Sequence, residues 1–265
     1  MEQPIQIAVV QASFRNGDVS YNVNRMRKMI EQIKADHPQM RFIVFPELSA
    51  TGYYLSADIK EVAEEQNGTI FRQFRKTASE NNLYVAYGYV ERGIAGEIYN
   101  SVQLIDPSGN ALANYRKIHL TPLEKEFFSS GSEAVAVQTD IGKIGLMICW
   151  DLAFPELARA LALQGAELLI APAAWERPYD GSFLKFGMAR AIDNTVYVAA
   201  PNHIGQSENL SFFGKSVIYS PDGTAMVSAE GDEEGTLVAE LDYKKRNEIK
   251  KSFFTMLEER RTDIY

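Results

Sequence analysis

Short apolar runs alternate with segments of helical periodicity along the chain, and this alternation restricts the fold class more than any other feature. Ile5–Val10 is β-rich and too short for a helix. Asn22–Ala35 follows, with Val23, Met26, Ile30 and Ile33 at helical spacing and Ser20 or Asn22 placed to cap it. Arg41–Phe45 is a second buried-strand run. Strand, helix, strand is the opening of an α/β protein. Glu61–Asn82 reads as mostly helical with a break near Asn67-Gly68. Tyr84–Glu91, Tyr99–Ile105 and Ala111–Tyr115 are strands joined by turns too short for helices, which predicts antiparallel pairing there.

The second half repeats the mixture. Val135–Thr139 and Lys143–Cys149 form a predicted hairpin, followed by helix Pro155–Gln164, strand Glu167–Ala171 and helix Phe183–Asn194. Val196–Pro201, Gly214–Tyr219, Met226–Ala229 and Thr236–Leu241 are later strands, and Tyr243–Phe253 is a basic helix whose charges suit a solvated face. Ile5–Tyr54 and Lys143–Trp175 echo each other as strand, helix, strand, then a proline just past the strand end, too loosely to be a sequence repeat. No linker or low-complexity tract divides the chain. One α/β domain over residues 1–265 is expected, with sheets packed on each other and helices on the outer faces.

Composition narrows the function classes. The balance of 27 basic against 35 acidic residues gives a net charge of −8, which argues against a nucleic-acid or anionic-membrane partner. A single cysteine excludes an internal disulfide and suits a reducing compartment. The start, MEQPIQIAVVQ, lacks the basic opening and long apolar core of a signal peptide, so a cytoplasmic location is expected. Three scattered histidines and one cysteine give no metal cluster, and no cofactor is expected.

The chemistry centres on Asp140–Glu156, DIGKIGLMICWDLAFPE. Cys149 stands where a buried strand ends and a helix is about to begin. A helix N-terminus favours an anion and pushes a thiol toward thiolate. Taken alone, a cysteine on an apolar strand is more often a small buried hydrophobe. A nucleophile also needs a base and a group that stabilises an oxyanion. Glu47, after Phe45-Pro46, is either a capping residue or a partly buried carboxylate whose raised pKa suits a base. Lys117, after Tyr115-Arg116, is either a solvated cation or a fixed ammonium facing developing charge. His119 invites a Cys–His pair, yet nothing local marks it as the base, and a lone histidine between Ile118 and Leu120 is more often structural.

FPELSATGY at Phe45–Tyr53, YRKIHL at Tyr115–Leu120 and GLMICWDLAFPE at Gly145–Glu156 together resemble the nitrilase superfamily of carbon–nitrogen hydrolases, in order and spacing across essentially the whole chain. The resemblance implies an αββα sandwich of two mixed β-sheets and a Glu–Lys–Cys triad. It assigns Glu47 as general base, Lys117 as oxyanion stabiliser and Cys149 as nucleophile. A second glutamate in the loop after the lysine matches Glu124 best, with Glu126 competing. Nitrilases typically carry Cys-Trp-Glu, whereas this chain has Cys149-Trp150-Asp151, a departure that favours an amide or N-carbamoyl substrate. Similarity to N-carbamoylputrescine amidases is visible in Cys-Trp-Asp followed by Phe154-Pro155-Glu156, but the Trp175–Phe183 region does not identify a polyamine pocket. Tyr53, Trp150, Phe154 and Trp175 adjoin the motif-bearing strand ends and are expected either as pocket walls or as core packing. A small-molecule amide partner is expected, and the resemblance implies a homodimer or larger homo-oligomer; the tail Leu257–Tyr265 is short and charged but ends in Ile264-Tyr265.

Overall fold

Alternation within the strands decides how the layers stack. In β1 (Ile5–Gln11), Ile7 and Val9 point to one apolar cluster while Ala8 and Val10 point to another. After helix α1 (Val19–Asp36), β2 (Met40–Val44) repeats the division, with Phe42 and Val44 on one face and Ile43 on the other. Both faces are therefore buried, the condition that produces near-continuous apolar runs in parallel strands. The protein is described over residues 3–264 by a computed structural model. Met1 and Glu2 of the opening segment and Tyr265 of the tail lie outside the described residues.

The first sheet continues through α2 (Thr69–Asn81), β3 (Tyr84–Arg92), β4 (Ile98–Ile105) and β5 (Ala111–Arg116). The second half contributes β6 (Ala136–Thr139), β7 (Gly142–Leu146), α3 (Pro155–Leu163), β8 (Leu168–Ile170), α4 (Asp180–Asn194) and β9 (Tyr197–Ala200). A hairpin of β10 (Ile204–Ser207) and β11 (Leu210–Phe213) follows, then β12 (Val217–Tyr219), β13 (Ala225–Ser228), β14 (Gly235–Leu241), α5 (Tyr243–Ser252) and α6 (Met256–Glu259). The first six-stranded sheet has the order β14-β1-β2-β3-β4-β5, and the second β13-β12-β9-β8-β7-β6. Each has three parallel strands, β1-β2-β3 or β7-β8-β9, flanked by antiparallel ones. The weak echo in the sequence is thus a structural one: β1-α1-β2 and β7-α3-β8 occupy corresponding places in the two sheets.

One large apolar cluster joins the inward faces of the sheets, with Ile7, Val9, Phe42 and Val44 meeting Ile144, Leu146, Leu168 and Ile170. Helices α1 and α2 cover the outer face of the first sheet through Val23, Met26, Ile30 and Phe74. Helices α3 and α4 cover the second. The result is a single domain with an αββα sandwich.

Several boundaries differ from expectation for local reasons. Helix α1 begins at Val19 and is capped by Asp18, whose carboxylate accepts the Tyr21 N–H at 3.1 Å, and not by Ser20 or Asn22. Asn22 lies inside the helix, where its buried amide bonds both backbone groups of Arg15 and latches the preceding loop. Strand β7 stops at Leu146, short of Cys149. Strand β12 begins at Val217 because Gly214 and Lys215 turn through positive φ. The β10–β11 hairpin was absent from the sequence reading; its short connection turns at Glu208, also at positive φ.

Candidate active site

The parallel strands deliver their chain ends to one rim of the sandwich. β2 leaves through Phe45-Pro46 to Glu47, and β7 leaves through Met147-Ile148 to Cys149. Lys117 is the first residue after β5, and Glu124 begins a short 3-10 turn, Glu124–Glu126. In open α/β sheets such a rim is where ligands bind. Leu48 and Cys149 both take φ of 48°, a left-handed conformation costly for residues with a side chain. At Cys149 the surroundings hold it: its N–H donates to Pro172 O at 2.9 Å, and a 3-10 turn, Cys149–Ala153, starts there.

Four sequence-predicted residues meet in one buried cluster. Lys117 Nζ donates to Glu47 Oε1 at 2.7 Å and to Glu124 Oε1 and Oε2 at 2.7 and 2.9 Å. Glu47, Lys117 and Glu124 have no exposed surface, and Cys149 retains 6%. Glu126, the competing candidate, is exposed, so the buried glutamate is Glu124. Its carboxylate also takes the Thr121 N–H at 2.8 Å and the Tyr53 hydroxyl at 3.3 Å.

Burial without charge pairing would neutralise these groups. Burial raises the Glu47 pKa to about 7, Lys117 pulling it down and Glu124 pushing it up. For Lys117, burial acts downward but is outweighed by the carboxylates of Glu124 and Glu47, so the ammonium is held well above its ordinary range. For Glu124, burial acts upward and is outweighed by Lys117 and the Thr121 hydrogen bonds, leaving it below the ordinary carboxylate range. Burial, reinforced by Glu47, raises the Cys149 thiol well above its ordinary pKa, against the pull of Lys117. This reverses the expectation of a thiolate favoured by a helix N-terminus. Two nearby carboxylates and an apolar wall outweigh a one-turn helix, so the resting thiol keeps its proton and needs a base.

Glu47 is held in place by residues that sequence reasoning missed. Asn100, on β4, donates to Glu47 Oε1 at 2.7 Å and Glu124 Oε1 at 3.1 Å. His203 Nε2 donates to the Glu47 carbonyl at 2.6 Å, and burial lowers its pKa to about 4, so it is a neutral donor. Among the described residues Glu47 Oε2 has no hydrogen-bond partner, and the Cys149 thiol, a neighbour of the same carboxyl, draws its pKa down. The available signals were a polar Asn100-Ser101 pair within an otherwise buried strand and a histidine just past Pro201. Neither signal names a partner remote in sequence.

His119 is held elsewhere. Its Nδ1 lies 2.7 Å from Asp151, whose carboxylate also takes the N–H of His119 and Ile148 and the hydroxyl of Tyr115. Its ring stacks on Phe154 at 3.8 Å.

Cys149 opens into a cavity of about 430 Å³. Of the predicted wall residues, Tyr53, Trp150 and Trp175 line it, the two indoles 5.4 Å apart. Phe154 lies outside that lining, because its ring is committed to His119 and to the edge of Trp150. Leu55, Leu123, Phe186 and Leu210 extend the apolar wall, and Glu176, which sequence reasoning passed over, is its one charged residue among the described residues. A buried acid, ammonium and thiol beside an apolar cavity can carry acyl transfer.

Comparison with known proteins agrees with this geometry. The family model described as carbon-nitrogen hydrolase matches residues 6–251. A probable nitrilase of Schizosaccharomyces pombe is 35% identical, over 98% of this chain and 96% of its own. A 2-oxoglutaramate amidase of Bacillus subtilis is 32% identical, over 98% of each. The crystal structure of a carbon-nitrogen hydrolase from Helicobacter pylori G27 superposes with a TM-score of 0.93 at 26% identity, covering 99% of this chain and 97% of that one. With the fold, the motifs and the match over nearly the whole length in agreement, the chain belongs to the carbon-nitrogen hydrolase family, within the nitrilase superfamily.

Proposed function

We propose that this protein is an amidase that cleaves the C–N bond of a small amide, giving a carboxylic acid and ammonia through a thioester on Cys149. The observation that carries this reading is the single cluster of Glu47, Lys117 and Glu124 behind Cys149, with the thiol at the wall of an apolar cavity. A pKa raised to about 7 suits Glu47 to take the thiol proton and return it near neutrality. Sulfur attacks the carbonyl carbon, and the carbonyl electron pair moves onto oxygen. The Lys117 ammonium and the Trp150 N–H stabilise that oxyanion. The Trp150 N–H is not used by the turn itself, in which Cys149 donates to Pro172 and Asp151 to Ile148.

Glu47 then gives its proton to the departing nitrogen, and the thioester remains. A water deprotonated by Glu47 hydrolyses it, returning the thiol and releasing the acid. Glu124 holds Lys117 between the two carboxylates by charge-assisted hydrogen bonds.

A second reading, hydrolysis of an N-carbamoyl amine, uses the same attack on a carbonyl bearing NH₂. The acidic Glu176 in the cavity wall favours it where the carbamoylated amine carries a second amino group, which stays cationic while the carbamoyl nitrogen is neutral.

Ammonia release from a panel of aliphatic amides, ω-amides, N-carbamoyl amines and nitriles tests both readings, with Cys149→Ala as the blank. Cys149→Ala is expected to lose at least about a thousandfold in kcat, as removal of a nucleophile does elsewhere. Retention of about a tenth of the rate by that variant overturns the thioester route. Preferential turnover of carbamoyl compounds selects the second reading.

A further inference from the structure

Glu176 stands apart from the four-residue cluster yet faces the same cavity. It follows Trp175, directly after the segment that extends from β8, and is half-buried. Among the described residues no lysine or arginine forms an ion pair with it. The neighbouring Arg177 is turned to Asp232 at 3.5 Å. Burial raises the Glu176 pKa, its own N–H opposes the rise, Glu124 adds to it and Lys117 opposes it, which places the carboxyl within electrostatic reach of the buried cluster. Tyr53 likewise feels Glu176 together with Glu124 and Glu47.

The charges around the cavity are unbalanced. Lys117 lies outside the cavity lining, fully buried, and is already shared between Glu47 and Glu124. No lysine or arginine lines the cavity among the described residues, and Glu176 adds an unpaired carboxylate. A substrate carboxylate entering here meets repulsion and loses hydration without gaining a cation. A substrate cation gains a half-desolvated partner beside the indoles of Trp150 and Trp175 in the cavity wall. The rest of the wall is largely aliphatic and aromatic, with Leu55, Leu123 and Phe186, and suits a methylene stem.

We infer that Glu176 is a specificity-determining residue that selects amides or carbamoyl amines bearing a cationic group at the end remote from the scissile carbonyl, and rejects those bearing a carboxylate there. The reaction it serves rests on the amidase reading, but the selectivity is a property of the cavity and is measured separately.

The protein's only two tryptophans both line the cavity, so intrinsic fluorescence reports its occupancy. Three probes, δ-aminovaleramide, caproamide and adipic acid monoamide, differ only at the far end. They are titrated into Cys149→Ala and into the double variant carrying Glu176→Gln as well. δ-Aminovaleramide is expected to bind about tenfold or more tightly than adipic acid monoamide, and Glu176→Gln to shrink that ratio to about twofold. Equal or tighter binding of adipic acid monoamide, a ratio unmoved by Glu176→Gln, or no binding of δ-aminovaleramide overturns the inference. Turnover by the wild-type enzyme is a separate readout. The expected binding order with no hydrolysis of any probe or carbamoyl analogue leaves the cavity assignment standing and removes the amidase reading.

Discussion

Glu47 is the residue at which burial and charge meet. Its pKa near 7 is the outcome of burial acting upward and Lys117 acting downward, and the proposed mechanism uses that value directly. As base, Glu47 must be ionised in the free enzyme, so kcat/KM should climb with pH through about 7 and level off above it. A profile flat from about pH 6 to 8 counts against Glu47 as the base. Stability runs the other way. The carboxyl holds its proton more tightly folded than unfolded, so its share of stability is complete below the ordinary carboxylate range and is lost as pH rises through about 7. Lys117 presents the complementary case. Lys117→Met leaves Glu124 ionised, or Glu47 and Glu124 together, with no buried counter-charge. That should cost about 3–5 kcal/mol at neutral pH, less at about pH 4 where the carboxylates take up protons, as read from urea unfolding at the two pH values.

At the level of elements, the site depends on how closely one strand end lies against the next strand. Gly88, in β3, sits beneath the turn Pro46-Glu47-Leu48, and the Ala50 N–H donates to Gly88 O at 2.9 Å. A Cβ on Gly88 would collide with the Leu48 amide nitrogen and lie 2.9 Å from the Glu47 carbonyl carbon. The neighbour that has to move is backbone already bent to positive φ at Leu48, so it has little freedom to give. Gly88→Ala should therefore lower stability by about 1–3 kcal/mol and displace the Glu47 carboxylate enough to lower kcat by about tenfold or more. Thermal unfolding and steady-state rates at saturating amide measure the two effects. A variant of full kcat would mean that the turn tolerates the shift.

At the level of the whole molecule, the site straddles the seam between the sheets. Asp151, past β7 of the second sheet, accepts from Tyr115 in β5 of the first and from His119 in the loop after it. His203, after β9 of the second sheet, holds the carbonyl of Glu47 at the end of β2 in the first. These ties fix Cys149 against Glu47. Asp151→Ala removes four hydrogen-bonding contacts and leaves the buried Ile148 N–H and the Tyr115 O–H without an acceptor. A loss of about 3 kcal/mol in stability is expected, with slower alkylation of Cys149 near neutral pH as the thiol drifts from Glu47. Labelling as fast as wild type would show that the seam is held without Asp151.

Much of this was legible in the chain itself, because the relevant physics is local. Periodicity of two against 3.6 marked the strands and helices, and continuous apolar runs such as Ile5–Val10 announced strands buried on both faces. Motif order placed Glu47, Lys117, Glu124 and Cys149 at strand ends or in the loop after one, which is where the fold puts them. What the sequence could not determine was set by contacts remote along the chain. Asn100 and His203 hold Glu47 across separations of 53 and 156 residues, and no local pattern encodes either partner. The direction of the Cys149 pKa shift was decided in the same way. A helix start predicts a lowered value, but burial and the Glu47 carboxylate are properties of the assembled site and outweigh it. Phe154 is held away from the cavity by its stacking on His119, and Glu176, bridged to Phe212 of β11, is a cavity residue only in the folded chain. Sequence thus determined the elements and the reactive groups, through backbone period and side-chain chemistry. Tertiary structure alone decided their protonation, their partners and the charge of the cavity, because desolvation and Coulomb energy depend on which groups are brought within a few ångströms of each other.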